Sequence, residues 1–262
     1  MAAVSAAPPI AVPPPRLLDA GDAAFTIEFG DAVDTALLAR VRTLDAAIAR
    51  TQALGGLPGL VETMPTFRSL TVFFDPLLTG RAALIDALQP LLAMADPGVA
   101  ARGRHWNLPV CYGGDAGPDL AETAGRLGVT PAEVVALHSG TEYIVYMLGF
   151  LPGFGFMGDL PPPLHLPRRA VPRLRVPTGS VAIALGLTGI YPWQSPGGWH
   201  LLGRCPVPLF DARQPSPALL AAGDKVQFVP VPMAEYQRVL AASAGGEIDR
   251  GHWLADAARG RP

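Results

Sequence analysis

Four arginines, Arg168, Arg169, Arg173 and Arg175, fall within eight residues of one another in a chain of 262 residues. A guanidinium group is planar and permanently charged, and its donors form a fork that matches a carboxylate or a phosphate. Pro167, Pro172 and Pro177 lie among these arginines. Each proline fixes one backbone angle, so the segment is stiff enough to aim its side chains. A solvated loop is the ordinary alternative for long cationic side chains. The proline spacing favours anion recognition by Arg168, Arg169 and Arg173, with Arg175 read as structural. Thr178-Gly179-Ser180 follows directly and offers hydroxyls and backbone N–H groups beside the arginines. Thr178, Ser180 and the later Thr188 are therefore candidates for substrate or anion contact.

His138 sits near the end of a helix announced by Thr130-Pro131-Ala132-Glu133, a capping box with proline at the first helical position. There it either caps the last carbonyls or serves as an acid or base, since imidazole titrates near neutrality. His165 and His200 read as surface or barrel residues. These three histidines lack metal-ligand spacing, so no metal is expected. No G-x-S-x-G elbow is present, which removes the usual serine-hydrolase signature. Ser195-Pro196-Gly197-Gly198 carries the signature of a type II turn. Tyr191, Trp193 and Trp199 read as barrel core, and Pro152-Gly153-Phe154 as a tight corner.

The formal net charge of −2 argues against a general nucleic-acid binder. Lys225 is the only lysine and lacks a glycine-rich context, so no P-loop is encoded. Cys111 and Cys205 lie in apolar, strand-like segments and read as two buried thiols. Residues 1–15 have no basic n-region and are broken by prolines, so a disordered tail is expected in place of a signal peptide. The uncharged run from Tyr143 to Gly158 is too short to span a membrane. A soluble, cytoplasmic protein is expected.

Half of the residues are apolar and only 16% are charged, which permits a sizeable core. Segments 16–19 and 24–29 read as strands; in the second, Phe25, Ile27 and Phe29 alternate with polar residues. Asp34 caps a helix running to about Arg50, with Leu37, Leu38, Val41, Leu44 and Ile48 as its apolar stripe. Two more strands, 60–64 and 69–74, precede a helix capped by Thr79. The order ββαββα makes an α+β sandwich over residues 16–96, and Asp96 to Arg104 is the linker candidate. Beyond it come a strand from Trp106 to Tyr112, two short helices, and a strand from Glu142 to Leu148. Short, evenly punctuated strands then continue to Val229, which predicts a closed or nearly closed β-barrel over residues 104–232. Residues 233–262 are expected to be a C-terminal tail, in part helical.

The motifs PVCYGG, GPDL, LHSGTEYIVYMLGFLPGFGFMGDL, VPTGSVAIA, TGIYP, SPGGW and LFD stand in this order, with the arginines between the third and the fourth. This succession resembles the KipI family, which includes the B subunit of the prokaryotic 5-oxoprolinase and is related to the carboxyltransferase part of urea amidolyase. The resemblance covers roughly residues 16–232. It implies an α+β N-terminal domain followed by a mainly-β, cyclophilin-like barrel. It further implies a hydrolase that opens 5-oxo-L-proline to L-glutamate at the expense of ATP, with the active site shared with subunits C and A and ATP bound there or jointly. Within that reading His138 and Arg173 are the catalytic candidates, and Arg168, Arg169, Thr178, Ser180 and Thr188 the substrate- or anion-binding ones. Loss of Arg173 is expected to lower activity and spare the fold. Two other readings stay open: an inhibitor of sensor histidine kinase autophosphorylation, and a biotin-dependent carboxyltransferase half-site. This sequence departs from the family pattern at Ala184, Leu185 and Leu187, where a glycine pair and a glutamine are usual, and at Gly155-Phe156-Met157.

Overall fold

The computed structural model describes residues 14–94, 103–244 and 250–255. Most of the expected N-terminal tail and linker, and the last seven residues, lie outside the described residues. The chain divides into two compact units, residues 1–100 and 101–262. Among the described residues no helix is long and apolar enough to cross a membrane.

The first unit contains β1 (Arg16–Asp19), β2 (Ala24–Glu28), α1 (Thr35–Ala53), β3 (Leu60–Pro65), β4 (Ser69–Phe74) and α2 (Arg81–Ala93). Its four strands form an antiparallel sheet in the order β1-β2-β4-β3. Alternation puts Phe25, Ile27, Leu70 and Val72 on one face, where they meet Val41, Leu44 and Ile48 of α1 and Leu84 and Leu88 of α2. Asp34 caps α1 through its carboxylate, which accepts from the backbone of Ala36 and Leu37. The Thr79 cap is not formed: Gly80 occupies that position without a side-chain bond. Thr79 is spent on the preceding turn, where its N–H donates to Asp75 O and its side chain packs against Gly59.

The second unit closes a seven-stranded barrel in the order β10-β7-β6-β13-β5-β12-β9. Its strands are β5 (His105–Tyr112), β6 (Glu142–Leu148), β7 (Gly155–Gly158), β9 (Ser180–Ala184), β10 (Leu187–Ile190), β12 (His200–Arg204) and β13 (Lys225–Pro230). Only β13 and β5 run parallel. Two helices, α3 (Leu120–Leu127) and α4 (Pro131–Ser139), connect β5 to β6. β8 (Arg173–Val176) and β11 (Ser195–Gly197) form a separate two-stranded ribbon. The expected turn at Ser195-Pro196-Gly197-Gly198 is therefore a short strand, because its backbone is recruited by β8.

β9 explains why the barrel carries a second layer. Val181 and Ile183 point into the barrel core, while Ala182 and Ala184 face an outer cluster of Phe154, Val176, Tyr191, Trp199 and Leu201. The alanines leave room for rings to lie against the barrel wall. Of the three aromatics read as core, Tyr191 and Trp199 are buried, whereas Trp193 is 46% exposed. Cys111 and Cys205 are both free and buried. The expected helical part of the C-terminal segment is present as α5 (Met233–Ala244), which packs in by burying Tyr236 and Val239, and Leu254 is also built in, bridging to Trp106 of β5.

A two-residue turn joins β9 to β10, with Leu185 and Gly186 at φ of 55° and 79°. This geometry suits asparagine and glycine, and a left-handed leucine costs about 1–2 kcal/mol. Leu185→Asn is expected to raise stability by about 1 kcal/mol in denaturant unfolding; an unchanged or lowered midpoint would show that the surrounding packing already offsets the strain.

Candidate functional site

The arginine segment is held on both flanks. The N–H of Arg169 donates to Gly198 O at 2.8 Å, and Arg173 pairs with Gly197 across the β8–β11 ribbon. Beneath the ribbon lies Asp119, 2% exposed, at the start of α3. Its carboxylate accepts from Arg173 Nη1 at 2.8 Å, Arg173 Nη2 at 2.5 Å, Arg169 Nη1 at 3.3 Å and the N–H of Leu201 at 2.7 Å. Glu122 takes a further bond from Arg169 Nη1. A buried carboxylate needs such compensation, because its desolvation costs several kcal/mol.

This geometry divides the cluster. Arg173 and Arg169 are committed to Asp119, so loss of Arg173 is expected to cost stability by leaving the buried carboxylate short of a partner. Arg175 is exposed, and among the described residues it has no ion-pair partner, in contrast to the structural role expected of it. Arg168 is exposed and likewise lacks a carboxylate partner among the described residues.

Arg168 and Arg169 line a pocket of about 310 Å³ together with Phe150, Phe154, Phe156, Tyr191 and Trp199. The rings meet mostly edge to face: Phe154 lies 5.2 Å from Tyr191 and 5.8 Å from Trp199, at 80° and 82°. Phe150 stands at the rim, 60% exposed, with φ at 67°. A left-handed, exposed aromatic residue stores about 1–3 kcal/mol and is most often retained where function requires it. Burial pushes the Tyr191 hydroxyl up, and the nearby Arg168 and Arg173 oppose that shift. An aromatic cup with one uncompensated guanidinium can take a small flat molecule that bears a carboxylate or phosphate.

His138 belongs elsewhere. It is fully buried, stacked 4.8 Å from Phe228, and bonds none of the last carbonyls of α4. Its Nδ1 lies 2.7 Å from the Tyr112 hydroxyl and its Nε2 2.9 Å from Thr188 Oγ1. Thr188 spends its proton on Ala182 O at 3.1 Å. Thr188 must therefore accept from Nε2–H, which leaves Nδ1 to accept from Tyr112. Desolvation lowers the His138 pKa to about 3, so the ring is neutral. This chain of bonds ties α4 to β5 and β10 and does not line the aromatic pocket.

Among the remaining candidates, Ser180 is 1% exposed with no partner for its hydroxyl, and Thr178 opens onto a different groove. The structure thus brings together Arg168 and Arg169 at the pocket, Arg169 and Arg173 at Asp119, and His138 with Thr188 in the barrel. Sequence reasoning missed Asp119 as the organiser and Phe150 as the strained rim. The signal for Asp119 was the need of four arginines for a counter-charge in a chain of net −2.

Residues 15–220 match the family of the carboxyltransferase domain, subdomain C and D. The 5-oxoprolinase B subunit of Bacillus subtilis (strain 168) is 38% identical over 226 residues, which cover 82% of this chain and 92% of that protein. The 5-oxoprolinase B subunit of Escherichia coli O157:H7 is 41% identical over 212 residues, covering 80% and 93%. The crystal structure of TTHA0988 superposes with a TM-score of 0.70 at 39% identity, over 79% of this chain and 40% of that one. This chain thus spans less than half the length of that solved relative. The Kluyveromyces lactis urea carboxylase shares the fold at a TM-score of 0.70 and 20% identity, over 90% of this chain and 23% of the other.

Two measurements test this geometry. Asp119→Asn is expected to destabilise the second unit by about 3 kcal/mol, because it leaves two arginines without their buried counter-charge. Arg175→Ala should stay within about 0.5 kcal/mol. Equal effects for the two variants would show that the ion-pair cluster does not hold the ribbon. For His138, the folded pKa of about 3 lies below the unfolded value of about 6.5. The unfolded chain therefore binds the extra proton, and stability should fall as pH drops from about 6.5 toward 3, by up to about 1.4 kcal/mol per unit. A pH series of unfolding midpoints should be flatter for His138→Gln over that window, and parallel curves would refute the buried neutral ring.

Proposed function

The chain belongs to the carboxyltransferase-domain family, and from that membership we propose that it is the B subunit of an ATP-dependent 5-oxoprolinase acting in the cytoplasm, where ATP is supplied. The observation that carries this reading is the aromatic pocket with its uncompensated Arg168, in a chain similar over most of its length to proteins named as the B subunit of 5-oxoprolinase. 5-Oxo-L-proline is a flat five-membered lactam with one carboxylate. Arg168 receives the carboxylate, and the rings of Phe154, Tyr191 and Trp199 enclose the apolar edge.

A lactam carbonyl is a poor electrophile. Transfer of the γ-phosphoryl group of ATP to its oxygen, with ADP leaving, makes the ring carbon attackable by water; the carbon–nitrogen bond then breaks to give γ-glutamyl phosphate, and a second water releases L-glutamate and phosphate. Such a step needs donors aimed at developing negative charge. The described pocket lining has only arginines and Tyr191 as titratable groups. The phosphoryl-transfer groups are therefore assigned to partner subunits, which we take to be C and A, with this chain holding the substrate. The cyclophilin-like character of the barrel is part of the same reading.

The three subunits, purified together, should release glutamate from 5-oxo-L-proline only when ATP is present. Arg168→Gln should raise KM about tenfold or more while leaving the unfolding midpoint unchanged, in line with the loss of one charge-assisted bond. An assembled complex that releases no glutamate would remove the enzymatic reading. Unchanged KM in Arg168→Gln would move the substrate out of this pocket.

A further inference from the structure

A second concavity lies on the other side of Tyr191, which lines both. It encloses about 450 Å³ between residues 177–179, the C-terminal end of β12 at Arg204, and α5. Its wall includes Trp193, Phe210, Tyr236 and several prolines, with Thr178 and Arg204 as its main side-chain donors.

Arg204 is the unusual member. It is half-buried, has no ion-pair or hydrogen-bond partner among the described residues, and its Nε is buried with nothing to donate to. Buried polar atoms are nearly always bonded, so an unpaired guanidinium needs an explanation. Its stem runs over Gly179, where an added Cβ would lie 3.3 Å from Arg204 Cγ and would collide with Cys205 O. Gly179, at φ of 80°, is thus what lets the arginine lie flat along the barrel wall. Directly across the strands, Ser180 pairs with Arg204, and its hydroxyl is also buried without a partner. Of the two, only Arg204 lines the groove, so its unpaired guanidinium is the group that meets an incoming acceptor. Beside them, the indole of Trp193 is 46% exposed and meets Phe210 edge to face at 6.2 Å. Exposed aromatic surface of this kind receives a flat ring by stacking.

We propose that this groove is a second binding site, for an oxyanion carried on a planar ring: Arg204 and Thr178 take the oxyanion, and Trp193 takes the ring. A nucleoside phosphate and a cyclic carboxylic acid both have this chemistry. The site is separate from the Arg168 pocket and does not depend on the function assigned to that pocket.

The test uses the full chain and three probes, AMP, 5-oxo-L-proline and inorganic phosphate, read by titration calorimetry and by quenching of tryptophan fluorescence. At least one ring-bearing anion should bind in the submillimolar range and more tightly than inorganic phosphate. AMP as the tighter ligand identifies a nucleotide site, and 5-oxo-L-proline a second acid site. Arg204→Gln should weaken that binding about tenfold or more, as expected for a lost charge-assisted contact. The 5-oxo-L-proline titrations are run in the Arg168→Gln background, which disables the first pocket, and AMP binding should be the same within about twofold in that background. Trp193→Ala, at an exposed position, should weaken binding and abolish the quench, which keeps the test valid if Arg204→Gln does not fold. Failure of both ring-bearing anions to bind, or binding that survives both Arg204→Gln and Trp193→Ala, overturns the proposal. Loss of AMP binding in Arg168→Gln with Arg204 intact overturns it as well, since the nucleotide would then occupy the first pocket.

Discussion

The buried carboxylate of Asp119 is the constraint on which the second unit's working face depends. One side chain joins the start of α3, the backbone of β12 at Leu201, and two arginines of the ribbon. Removed from water, it is tolerable only while all of these donors are in place. The reverse also holds: the ribbon packs Val176 into the aromatic cluster and is tied to α3 by these charged bonds. Since Arg168 and Pro172 line the aromatic pocket, the position of that pocket's polar wall is set by an acid that does not line it.

The barrel supplies the rigid backing. β9 is buried on both faces, and its alternation of branched residues inward with alanine outward lets one strand serve two cores. The polar chain from Tyr112 through His138 and Thr188 to Ala182 O is fully satisfied, which a dry barrel interior requires. It locks α4 to the strands in one register. A histidine in this state is a structural fitting with a pH cost.

Element by element, most of the architecture was legible. Alternation in Phe25–Phe29, the Asp34 cap and the capping box at Thr130 are local signals, and the structure follows them. The misreadings share a cause. Thr79, Ser195-Pro196-Gly197 and residues 254–255 all had plausible local roles that a distant partner overrode: the Asp75 turn, the β8 strand and the β5 strand. Hydrogen bonds to remote backbone leave no trace in neighbouring residues.

The candidate site divides along the same line. The sequence alone determined that a stiff, arginine-bearing segment would sit on a turn-rich barrel, because proline, glycine and guanidinium carry their geometry and charge wherever they are placed. Only the tertiary structure decided which arginine is free. Arg168, Arg169, Arg173 and Arg175 are chemically equivalent in the chain. They become different when a carboxylate from 50 residues upstream engages Arg169 and Arg173 and the fold turns Arg168 toward a cup of rings. The strength of a charge depends on its distance to the nearest opposite charge and on the water between them, and both are properties of the folded chain.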